Sequence, residues 1–287
     1  MASAFTWETF KLLRRPAAWV CVALLLMLAV GLFYITFYFV YTYASPPSSG
    51  SGLPRGVKLS DFKVALYPAA FVKYTVSSLD TLGGVFALIL GVLSQGSEYG
   101  WGTIKTLYTQ RPGRLEMLAG KLGALIAAVL FMVLALFAID ALASVVIAGV
   151  DGKAIAFPAA VDTLKGIAAL WLIFGFWAVF GFTLATLFRQ SAMAIGLGLA
   201  YGILIEGIIF RVAGSIGGNA VRQVESWFPV ANTGYLSQSF GAAVPPGLAR
   251  TIAKPVADAN HAVLFLFLYI AAFVILSAWL IRARDVT

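Results

Sequence analysis

The chain has 287 residues, 61% of them hydrophobic and 11% charged, with a net charge of +8, and its mean hydropathy is +0.93. A soluble domain carries roughly 25% charged residues, so this composition excludes a water-facing globule and points to a single all-α integral membrane domain over 1–287. The cations gather at the ends of apolar runs, where topology rules and anionic headgroups place them; membrane lipids, not nucleic acid, are the partners this charge implies.

The first element is an interfacial helix over residues 5–15. Glu8, Lys11 and Arg15 share one helical face, Phe5, Leu12 and Leu13 fall on the other, and Pro16 ends it. A spanning helix needs about 20 predominantly apolar residues. Six segments qualify, at 17–43, 76–95, 120–148, 166–188, 192–210 and 261–281. The first of them is far longer than the 7–15 residue core of a signal peptide, so no cleaved leader is expected. Its outer end is dense in aromatics (Phe33, Tyr34, Phe37, Tyr38, Phe39, Tyr41, Tyr43), as in an interfacial belt.

Residues 44–56 are rich in Pro, Ser and Gly and read as a loop. The connection 211–260 is too apolar for a plain loop and is expected to hold short helices that dip into the outer leaflet and pack on the bundle. The cations divide evenly, with ten of the 20 on each side, but the weight of short loops and helix ends favours an N-in, C-in topology. Arg189 in the tight turn 188–190, and Arg282 with Arg284, are its cleanest supports. The single cysteine, Cys21, excludes an intrachain disulfide.

The stretch 98–121, between the second and third spans, carries the strongest functional signal. Trp101, Ile104 and Tyr108 line one face of a short amphipathic helix, with Thr103, Lys105, Thr106 and Thr109 opposite. Arg111, Pro112, Gly113 and Arg114 form a turn. Leu115 begins the next helix, and Glu116 sits favourably in its first turn. An ordinary cytoplasmic hairpin would explain the arginines but not the amphipathic helix.

Glu98, Gly102, Thr103, Lys105, Arg111, Pro112, Arg114 and the Gly120-Lys121 pair, in this order after a second span, resemble the ABC-2 type permeases, the six-helix membrane subunits of ABC transporters, most of them exporters. Trp227-Phe228-Pro229 followed by Asn232 is similar to the Pro-containing stretch that family often has before its last span. The resemblance implies that 98–121 is a coupling helix docking on a separate ABC ATPase subunit. It also implies a second permease copy, identical or paralogous, and a place in the cell membrane. No G-x-x-x-x-G-K-[ST] phosphate loop occurs, so ATP and Mg would be held by the partner, with no cofactor and no catalytic residue on this chain.

Three carboxylates lie within spans. By a rise of ~1.5 Å per residue, Asp80 stands roughly 27 Å above Glu98, Asp140 roughly 28 Å above Lys121 and Glu206 roughly 22 Å above Ser191. All three therefore favour the outer side. They are either hydrogen-bonded near the headgroups or line an acidic vestibule on a path for cationic cargo. In the fifth span Ala194, Gly198 and Gly202 recur every four residues, a stripe suited either to intrachain packing or to a dimer seam. His261, the only histidine, reads as interfacial, and with one His and one Cys no metal site is expected.

A secondary transporter would show repeats, broken helices and midplane charges, whereas no repeat is visible and the carboxylates lie too far outward. A membrane assembly or anchoring protein is the other alternative. The expected cargo of an exporter built on these spans is hydrophobic, amphipathic or cationic.

Overall fold

The computed structural model describes residues 2–43, 58–100, 113–241 and 256–283. Every regular element among them is helical. Helix α1 (Ala2–Arg14) stops where Pro16 removes a backbone donor, and α2 (Pro16–Tyr43) begins there as the first span. After a 3₁₀ helix (Leu59–Leu66) come α3 (Phe71–Gly100), α4 (Arg114–Val150), α5 (Ala160–Phe188) and α6 (Ser191–Ile209). Then follow α7 (Phe210–Glu225), α8 (Pro229–Gln238) and α9 (Ala259–Ala283). Six of these helices are long and apolar enough to cross a bilayer.

The helices outrun the apolar windows, most clearly at α4, because a backbone ladder continues through polar flanks such as Arg114 and Glu116 until a breaker stops it. The region expected to hold short outer helices does hold α7 and α8. Both α2 and α6 contain π-helical windings, at Ala29–Thr36 and Tyr201–Ile209, which no apolar periodicity announces. Arg189 turns the chain between α5 and α6 with φ 56°, in the left-handed region where a side chain costs energy.

α5 lies at the centre, with Ile173, Phe174, Phe176 and Phe182 buried within it. Its crossing with α3 depends on glycine. A Cβ on Gly91 would land on the carbonyl of Ala178, and one on Gly181 on the carbonyl of Leu88, so the two backbones meet without side chains between them. The outward faces of α2, α6 and α9 expose large apolar residues, among them Met27, Ile208 and Ile275. Such a surface suits lipid and would be ruinous in water.

Candidate functional site

At the end of the bundle carrying α1, three helices bring four charges together. Glu8 comes from α1, Glu98 from the last turns of α3 and Lys121 from the second turn of α4, with Lys11 one turn after Glu8. Lys121 pairs with Glu98, and its ammonium lies 3.8 Å from Glu8. Lys11 reaches Glu8 at 2.6 Å and Glu98 at 3.3 Å. Side-chain exposure is 1% for Lys121, 3% for Glu98 and 5% for Glu8, against 34% for Lys11. Among the described residues two cations face two anions, a balance that makes burial of three of them tolerable.

Gly120 makes the approach. A Cβ there would come within 2.8 Å of the Ala4 methyl, so its absence lets α1 lie directly on α4 and swings Glu8 toward Lys121. The charged side of α1 consequently faces protein, together with Leu12, while Trp7, Phe10 and Leu13 face outward. This corrects the sequence expectation that placed Leu12 on the face opposite Glu8: the buried cluster turns the helix so that Glu8 and Leu12, one turn apart, go in together.

Two further cations brace the same end. The Arg15 guanidinium donates to the Leu93 carbonyl of α3 at 2.8 Å, and that of Arg114 to the Ile281 carbonyl of α9 at 3.4 Å. Glu116 is exposed in the first turn of α4. Gly102, Thr103, Lys105, Arg111 and Pro112 lie outside the described residues. The two helix ends from which their segment departs are the ones this cluster clamps. Sequence reasoning singled out Glu98 and Lys121 but missed Glu8 and Lys11 as their partners. The available signal was Lys121 itself, a cation in the second turn of a helix whose continuation is apolar.

The carboxylates at the other end are all engaged within the chain. Glu206 accepts from the backbone N–H groups of Val230 and Ala231 at 2.8 and 3.1 Å, capping the N-terminus of α8. Asp80 accepts from the Ser237 hydroxyl near the other end of α8 at 2.8 Å. These two acids, from α3 and α6, thus pin α8 at both ends. Asp140 is fully buried and accepts from Thr75 at 2.7 Å; its Oδ1 has no partner among the described residues.

Asp151, which the sequence did not mark, ties down the connection after α2. Tyr67 and Tyr38 donate to it at 2.9 and 3.1 Å, and Lys63 pairs with it at 3.3 Å. Burial pushes its carboxyl up, but these hydrogen bonds and the Lys63 charge outweigh burial and hold it below the ordinary carboxylate range. Burial and the same bond push the Tyr67 phenol up to about 12.

The small-residue stripe of α6 is used inside the chain. Ala194 is fully buried, and Cβ atoms on Gly198 and Gly202 would come 2.6 Å from Leu88 of α3 and Trp177 of α5. His261 lies with Nε2 3.0 Å from the Ser226 carbonyl, and no cluster of metal-ligating residues occurs among the described residues.

A bundle of six apolar spans, with short polar ties at one end and a buried charge clamp at the other, defines a multi-pass helical membrane protein built to hold its helix ends in fixed relation. The profile of the ABC-2 family transporter proteins matches residues 5–286. The chain belongs to that family, as an ABC-2 type permease. A search of curated proteins found no match. Family membership carries the transport role and leaves the alternatives of a secondary transporter or an anchoring protein without support.

Proposed function

We propose that this permease exports a hydrophobic or amphipathic compound across the cell membrane, driven by separate ABC ATPase subunits that dock on the 98–121 segment, with ATP and Mg bound on those subunits. The α1 end is then cytoplasmic, and two permease copies, identical or paralogous, complete the assembly. The observation that carries this reading is the clamp of Glu8, Lys11, Glu98 and Lys121. It joins α1, α3 and α4 at the two points where segment 101–112 leaves and re-enters the bundle. A push on that segment reaches three helices at once. The glycine crossing with α5, and the Asp80–Ser237 contact on α8, extend α3 to the far end.

In this reading Glu98 and Lys121 frame the coupling segment, and Lys105, Arg111, Arg114 and Glu116 are the residues that contact the ATPase. Asp80 and Glu206 hold α8, which favours an uncharged or amphipathic cargo over a cationic one. The test is co-purification with the ATPase and reconstitution. Arg111→Ala and Arg114→Ala should weaken assembly and lower stimulated ATP hydrolysis, with Arg114→Ala also giving up its bond to the Ile281 carbonyl. Unaltered assembly and hydrolysis in both variants would overturn the docking assignment.

A further inference from the structure

The end of the bundle away from α1 holds a groove of about 1010 Å³ between α5 and α9, floored by the start of α3 and the end of α8. Its depth is apolar, with Leu172, Gly175 and Ile270 among its walls. Its mouth is not: Lys73, Asp162 and Lys165 stand there, all exposed. Gly175 is buried, yet a Cβ placed on it would meet nothing within 4 Å, so the helix faces a real hollow at that point. From Asp162 to Gly175 the groove runs roughly 20 Å along α5. That is more than half of a hydrocarbon core of about 30 Å, long enough for a chain from one leaflet. Phe267, on its lip, is 57% exposed, so the groove opens sideways toward lipid.

Neither Lys73 nor Lys165 forms an ion pair with another described residue, and neither does Asp162. Two uncommitted cations against one anion, at headgroup height above an apolar slot, complement an anionic head on an acyl chain. We propose that this groove binds an anionic phospholipid drawn from the leaflet at that end of the bundle. The headgroup phosphate sits between Lys73 and Lys165, and one acyl chain lies along α5 past Gly175. A zwitterionic lipid would fill the slot but gain less from the two lysines, and a cationic amphiphile would be repelled by them.

The proposal does not depend on ATP-driven transport, because lipid retention is read on the isolated full chain. The purified protein, exchanged into detergent with equal amounts of phosphatidylglycerol and phosphatidylcholine, is examined by native mass spectrometry. Phosphatidylglycerol should be retained in preference. Each of Lys73→Gln and Lys165→Gln should lower that preference about five-fold, as expected of one cation at a charged lipid surface. Asp162→Asn should raise it. Gly175→Leu fills the hollow and should remove the tightly held copy of either lipid. A wild-type chain without headgroup preference, a double lysine variant that keeps it, or undiminished retention by Gly175→Leu would each overturn the proposal. Because Lys73 and Lys165 are exposed, their variants stay informative even if Gly175→Leu fails to fold.

Discussion

Replacing Lys121 by methionine tests whether the clamp at the α1 end behaves as one buried unit. The side chain is 1% exposed and faces two carboxylates, Glu98 and Glu8, themselves 3% and 5% exposed. Without it, Glu8 and Glu98 lose their buried cation and keep Lys11, which is one-third exposed. Removing one partner of a buried ion pair costs about 3–5 kcal/mol, because the charge left behind has no compensation. Replacing both Lys121 and Glu98 by methionine leaves the neutral Glu8–Lys11 pair at 2.6 Å. The double variant should therefore lie within about 1 kcal/mol of the parent. Lys11→Gln, at the wet edge, should cost no more than about 1 kcal/mol.

Unfolding can be read through Cys21, the only thiol. It is 5% exposed, and its Sγ is 3.4 Å from the Phe86 carbonyl, so a thiol-reactive dye labels it only as the α2–α3 contact opens. Denaturant titrations of the parent, Lys121→Met, Glu98→Met, the double variant and Lys11→Gln in one micelle composition give the comparison. A Lys121→Met cost under about 1 kcal/mol, or a double variant as unstable as the sum of its singles, would refute the idea of a mutually compensated buried cluster.

The glycine crossing makes a second prediction. Gly91→Ala and Gly181→Ala must push α3 and α5 apart and should each destabilise by about 1–3 kcal/mol. Gly31→Ala, where a Cβ meets nothing within 4 Å, should be neutral or slightly stabilising in the same titration. The Asp151 tie predicts opposite effects at the two pH extremes. Its carboxyl is held low, so its contribution is complete above about pH 4 and is lost as pH falls through the folded value. The Tyr67 phenol is raised to about 12, so the folded state keeps a proton that the unfolded chain releases, and stability is lost as pH rises from about 10 toward that value. Asp151→Asn should remove the acid limb, and Tyr67→Phe the alkaline one, from melting curves followed across pH. Parallel curves for parent and variants would reject the assignment.

The all-α class, the six spans and the leading helix were legible in the sequence, because each rests on local chemistry. Apolar runs longer than a bilayer is thick, prolines at helix starts and cations at span ends need no partner to be recognised. Even the buried lysine was visible as an oddity in an apolar helix. What the chain's linear order could not decide was which charges meet. Glu8 and Lys121 are 113 residues apart, and only the approach of α1 over Gly120 joins them, turning an amphipathic face from solvent to protein. The same holds for Asp80 and Glu206. Depth along a helix was readable from the rise per residue, but their commitment to the two ends of α8 depends on how α3, α6 and α8 pack. Local sequence set the elements and their polarity; long-range packing, which alone brings distant donors and acceptors into reach of one another, set the use of each polar group.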